Sequence, residues 1–287
     1  MKAKPFQVFN YKHKFKIIKY SIGSRLINSV PKGLKHSYEF IRWLKSQNIS
    51  FIKKNGLIQF DFPIEKTNYS FSIEETSSDS DVFKQIILEE EYKHVRELML
   101  KHKIEVLNVI DGGANVGYTS IYLSHFYPDA TILALEPNKN TFKRLTHNID
   151  SNELKKNVSC IQKGLWSKDT YLKADYSFRD KQDWSFRLEE TNNEAEKLFE
   201  TISVESLIET HKWETIDLFK IDIEGGEKEL FQNEDELKWL DKVKVFAIEI
   251  HDEFHCREDI EAILKKNNFT LFYSGELTIG INKSCLK

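Results

Sequence analysis

A chain of 287 residues, 40% of them hydrophobic, can bury one α/β core of ordinary size with an addition to it, and a second catalytic domain is not required. It has no run of about eighteen apolar residues and no charged-then-apolar leader ending in small residues. The reading therefore predicts neither a membrane span nor a secretion signal, and a cytoplasmic address. Cys160, Cys256 and Cys285 lie far apart with no C-x-x-C pair, which argues against a zinc site and a disulfide framework.

The net charge of -3 is unevenly distributed. Residues 1–54 hold thirteen Lys or Arg against one acid, Glu39, a balance of +12 that leaves -15 for the remainder. This predicts a basic arm on an acidic body and points away from a general nucleic-acid enzyme. Phe15, Ile18, Ile22 and Leu26 recur at helical spacing among lysines, so 12–29 reads as a basic amphipathic helix, docked on the protein itself or on a membrane surface or acidic partner. A second helix is expected over 34–47, and short antiparallel strands over 50–62 and 69–74. Ser78 with Asp81 then reads as the start of one helix running to about 101. The domain division expected is 1–77 as a basic helical and short-strand addition and 78–287 as the main body.

The run Val106-Leu107-Asn108-Val109-Ile110-Asp111-Gly112-Gly113-Ala114-Asn115-Val116-Gly117 reads as a buried parallel strand, a glycine turn and a helix start, which puts a ligand at the strand's carboxyl end. Gly113 and Gly117 allow close backbone approach, and Asn115 tolerates a left-handed conformation. The next strand, 130–135, ends in Glu136-Pro137-Asn138, nineteen residues after Gly117, where a ribose diol would be held. Asp111 stands two residues before Gly113 and the turn reads Asp111-x-Gly113-x-Asn115-x-Gly117 rather than G-x-G-x-x-G, and this acid would repel a diphosphate. Asn138 caps a helix to about 148. A third strand, 158–162, leads into Lys163-Gly164-Leu165-Trp166. Residues 167–200 read as an irregular or hairpin insertion, with Tyr176, Phe178, Arg179, Trp184, Phe186 and Arg187 available to substrate. A helix over 205–211, a fourth strand over 216–221 ending at Asp222 and Glu224, and a fifth over 243–250 ending at Glu249 and His251 follow. A helix over 257–266 and a hairpin of 269–273 with 278–281 close the pattern.

Three blocks together, Val109-Ile110-Asp111-Gly112-Gly113-Ala114-Asn115-Val116-Gly117, Leu135-Glu136-Pro137-Asn138 and Ile216 through Glu227 with Lys220-Ile221-Asp222-Ile223-Glu224-Gly225, resemble the FkbM-type methyltransferases over about residues 80–282. Gly226 departs from that pattern, where alanine or another residue is commoner. The resemblance implies a doubly wound, Rossmann-like class I methyltransferase sheet, mostly parallel, with a terminal antiparallel β-hairpin, and S-adenosylmethionine as methyl donor. Asp111 would then attract the donor's ammonium and sulfonium groups. The cofactor set expected is Asp111, Gly113, Asn115, Gly117, Glu136, Pro137, Lys163, Gly164, Leu165 and Asp222, with Lys163 to Trp166 beside the adenine.

The family resemblance further implies O-methylation of a hydroxyl on a sugar, glycan or secondary metabolite. Asp222, Glu224 and His251 are the candidate catalytic residues, with His251 a base of suitable ordinary pKa. The same groups with Glu249 could instead bind a divalent metal, which the reading allows without requiring. The chain has no Pro-Pro after its fourth strand, which disfavours nucleobase N-methylation. A nicotinamide-dependent reductase and a non-catalytic binding protein that keeps the cofactor crevice are the competing readings.

Overall fold

The computed structural model describes residues 13, 32–175, 187–193, 197–233 and 236–286. Packing divides the chain into residues 1–91 with 147–154, and residues 92–146 with 155–287. Residues 78–91 and the segment 147–154 thus belong by packing with the N-terminal unit. Apart from His13, the expected basic helix over 12–29 lies outside the described residues.

In the first unit, α1 (Lys32–Ser46) buries Leu34, Phe40, Ile41 and Leu44. Three antiparallel strands follow, β1 (Phe51–Lys54), β2 (Leu57–Ile64) and β3 (Thr67–Ile73). The expected single strand over 50–62 is two, because Asn55 and Gly56 take φ of 51° and 83°, the left-handed pair that closes a two-residue hairpin. Phe83 meets Phe40, Phe60 and Phe71 edge-on, as Phe40 meets Phe60, with ring centroids 4.9 to 5.4 Å apart, and Phe60 stacks on Phe71 at 5.9 Å. Buried Glu75 accepts from His13 and Lys53.

The helix expected over 78–101 is interrupted. α2 (Asp79–Phe83) passes into a π-helical turn over Lys84–Leu88, Glu90 turns left-handed at φ 50°, and α3 (Lys93–Lys101) starts afresh. Ser78 makes no side-chain cap at the first of these helices.

The second unit is built on a seven-stranded sheet. Its parallel strands are β4 (Asn108–Gly112), β5 (Thr131–Leu135) and β6 (Val158–Ile161). Helices α4 (Tyr118–Phe126) and α5 (Lys139–Ser151) connect them, and Asn138 Oδ1 caps α5 by accepting from the amides of Asn140 and Thr141 at 2.9 and 3.1 Å. Short strands β7 (Gly164–Leu165), β8 (Tyr171–Asp175), β9 (Arg187–Glu190) and β10 (Phe199–Ile202) form a side sheet in the order β7-β10-β8-β9. The expected insertion is therefore partly a hairpin, β8 against β9. Tyr176, Phe178, Arg179, Trp184 and Phe186 lie outside the described residues.

After α6 (Val204–His211), β11 (Leu218–Ile221) and β12 (Val245–Glu249) extend the main sheet in parallel, with α7 (Glu227–Phe231) between them. α8 (Arg257–Lys266) leads to β13 (Phe269–Ser274) and β14 (Leu277–Asn282). The final order is β13-β14-β12-β11-β4-β5-β6, with β14 antiparallel to both neighbours. The sequence periods predict this because β4, β5, β11 and β12 are almost wholly buried runs, as a sheet covered on both faces requires. From β4 the chain proceeds outward to β5 and β6, then returns to β11 on the other side. The β4/β11 boundary is the topological switch point, where open α/β sheets place their ligands. Among the described residues no helix is long and apolar enough to cross a membrane.

Candidate active site

Four neighbouring parallel strands, β12, β11, β4 and β5, end at one edge, and most of the predicted site residues lie there. The turn after β4 is held on both sides. The amide of Ala114 donates to Leu135 O at 2.8 Å and that of Asp222 to Gly112 O at 3.1 Å. Gly113, Asn115 and Gly117 have φ of 73°, 49° and 87°, the left-handed conformations expected from their identities. The reason for Gly113 differs from the expected one. A Cβ there would stand 1.7 Å from Asp222 O, so the absent side chain makes room for the protein's own β11 end rather than for a ligand.

Asp111 also needs correction. Its side chain is 0% exposed, takes a hydrogen bond from Ser120 Oγ at 2.6 Å and lies 3.3 Å from Lys220 Nζ. Its charge is thus offset inside the protein and does not stand open to a cationic ligand. Lys220, which the sequence offers only as part of the family-like block and with no role of its own, is 2% exposed. Its ammonium donates to Gly112 O at 3.1 Å and Gly113 O at 2.7 Å, and lies 3.6 Å from Asp222 Oδ2. One buried cation therefore ties the acid, the turn and the end of β11 together.

Glu136 directly follows β5. It is 8% exposed, and Asn138 N donates to its Oε1 at 2.8 Å. Burial pushes its pKa up to about 7, opposed by backbone hydrogen bonds from Asn138 and Asn115 and by the charge of Lys220. Pro137 beside it is half-buried. Lys163 pairs with Glu200 at 2.6 Å, and a Cβ on buried Gly164 would meet the Phe199 ring at 2.9 Å. Leu165 and Trp166, in the segment expected beside the adenine, are both buried. Leu165 packs under Gly112 and Trp166 beside Gly226.

At the β11 and β12 ends the organiser is Glu227, the first residue of α7, where an acid also suits the helix dipole. It is 0% exposed and accepts from the amides of Ile223 and Gly225 at 3.0 and 2.8 Å, and its Oε1 lies 3.2 Å from His251 Nδ1. His251 Nε2 then faces Glu224 Oε2 at 3.5 Å and Glu249 Oε1 at 4.0 Å. Glu224 is not on an extended segment, as its φ is 54°. The hydrogen bond that His251 Nδ1 donates to Glu227 is the largest influence on the ring and, with the charges of Glu227, Glu224 and Asp222, pushes its pKa up to about 9. This shift favours the protonated ring in the ion-free cluster.

The parallel order, the inserted antiparallel β14 and the glycine turn facing a buried acid define a Rossmann-like methyltransferase domain. The model of the Methyltransferase FkbM domain matches residues 111–271, and the chain belongs to the FkbM methyltransferase family. It is 26% identical over 210 residues to Methyltransferase sdnD of Sordaria araneosa, covering 61% of this chain and 81% of that protein. It is 23% identical over 181 residues to Methyltransferase 1 of Beauveria bassiana (strain ARSEF 2860), covering 57% and 72%. A crystal structure of Methyltransferase FkbM from Methylobacillus flagellatus aligns with 12% identity and a TM-score of 0.42 over 62% of this chain, which spans 44% of that one.

Proposed function

We propose that this chain transfers a methyl group from S-adenosylmethionine to a hydroxyl of a neutral acceptor such as a sugar, glycan or secondary metabolite. Family membership supports methyl transfer and the donor. The observation that carries the donor's position is Glu136, a buried carboxylate at the end of the second core strand, beside the left-handed turn. Its oxygens suit a ribose diol, each charge-assisted hydrogen bond contributing about 1.5 to 3 kcal/mol. The turn 113–117 and Asp222 would flank the rest of the donor, with Lys163, Gly164 and Leu165 supplying backbone groups on the far side.

Bound there, S-adenosylmethionine supplies an electrophilic methyl group. The chain's task is to hold an acceptor oxygen in line with it and to receive the hydroxyl's proton. Asp222, Glu224 and Glu249 at the same edge can receive that proton, and their charge disfavours an anionic acceptor. The experiment is calorimetric titration with S-adenosylhomocysteine and with NAD, followed by transfer of an isotopic methyl group into hydroxyl acceptors. Binding of S-adenosylhomocysteine alone, with base-stable ether product, is the expected result. Binding of NAD alone would overturn the reading, and label on nitrogen would overturn O-methylation.

A further inference from the structure

Asp222, Glu224 and His251 each offer one ligand atom, all within 4.8 Å of one another. An octahedral cation with bonds of about 2.1 Å puts neighbouring ligand atoms about 3.0 Å apart and opposite ones about 4.2 Å apart. At the upper bound of 4.8 Å, closing to neighbouring octahedral positions moves each ligand atom by about 1 Å, and the His251 Nε2–Glu224 Oε2 pair, already at 3.5 Å, needs less. The set is mixed, one imidazole nitrogen with two carboxylates, and it comes from two strands that the parallel sheet holds side by side.

The orientation of the histidine is a separate observation. Metal-binding histidines characteristically give their second ring nitrogen to a carboxylate, which fixes the ring. Glu227 takes that place on Nδ1 at 3.2 Å and, through Ile223 N and Gly225 N, also fixes the loop that carries Glu224. A fully buried acid thus braces both His251 and the loop that carries Glu224. Glu249 Oε1, 4.0 Å from His251 Nε2, stands by without joining the three.

We infer that Asp222, Glu224 and His251 form a binding site for a divalent first-row cation of the Mn²⁺ type. Three ligands leave positions open, and at this edge an open position would hold and acidify the acceptor hydroxyl, whose proton passes to Glu249. That role rests on the methyl-transfer reading; cation binding itself does not.

The test is Mn²⁺ titration of the whole purified chain, followed by electron paramagnetic resonance, with S-adenosylhomocysteine binding measured on the same samples. Micromolar Mn²⁺ binding by the parent is expected, weakened at least tenfold in Asp222→Asn and in His251→Gln, with imidazole-nitrogen coupling seen in the parent and lost in His251→Gln. Asp222→Asn changes a partly exposed group and guards against a folding defect in the histidine variant. Absence of Mn²⁺ binding by the parent, or parent-like affinity in both variants, would overturn the site. Mn²⁺ bound without S-adenosylhomocysteine binding would leave the cation site standing and remove the methyltransferase reading.

Discussion

Replacing Glu136 by Gln should make the protein more stable and a poorer cofactor binder. Burial raises the carboxyl pKa from 4.5 to about 7 in the folded chain, a shift of about 2.5 units, equivalent to about 3 kcal/mol at 1.36 kcal/mol per unit. The folded state holds this proton more tightly than the unfolded state. The associated stability is thus fully present below pH 4.5 and is lost as pH rises to about 7. Glutamine keeps the shape and carries no charge at any pH. Urea denaturation at pH 8 should find Glu136→Gln more stable than the parent by up to about 3 kcal/mol, with the two converging toward pH 4.5. Calorimetry with S-adenosylhomocysteine should show the reverse, a loss of at least tenfold at pH 8. Parent affinity should climb as pH rises through about 7, while the variant's stays flat. A variant less stable than the parent at pH 8 would refute the burial argument, and unchanged affinity would remove Glu136 from the ribose site.

Gly113→Ala should lower stability and abolish S-adenosylhomocysteine binding, because the new methyl group meets Asp222 O at 1.7 Å; Asn115→Gly should be tolerated, and calorimetry on both variants checks the pair. Lys220→Met should destabilise the fold by about 3 to 5 kcal/mol, since it strands buried Asp111 without its cation; denaturation curves decide this, and a loss below about 1 kcal/mol would mean that Asp111 is held by Ser120 alone. Glu227→Gln should leave S-adenosylhomocysteine affinity near the parent's while lowering Mn²⁺ affinity by about 10- to 100-fold, read in the resonance titration.

The glycine turn, the acid after the second strand and the terminal hairpin were legible in the sequence because each is a local signal: special φ, strand-end spacing, or two short strands around Gly275. The parallel core was legible from its apolar runs. Lys220 was not, because a single lysine among apolar strand residues gives no sign of which groups it meets, and its partners are turn carbonyls about a hundred residues away in the chain. Glu227 was hidden similarly, since its bond to His251 depends on two strand ends lying side by side. Asp111 was correctly singled out but given the wrong partner. The spacing puts an acid at the turn and cannot say that Lys220 reaches it first. The Asn55-Gly56 turn was a local signal that went unused.

The pairing of β4 with β11, which brings the glycine turn against Asp222, joins Val109 to Leu218, residues more than a hundred positions apart. The β13–β14 ladder closes instead through a turn between Ser274 and Leu277. Chain closure over long separations is slow, whereas hairpins close in microseconds. The hairpin should therefore be an early event in folding, and the active edge a late one, formed when the two halves of the sheet meet along this single seam. A chain halted before that seam closes would carry nearly native secondary structure and no binding site, so recovery of ligand binding, not of helix signal, is the measure of completed refolding.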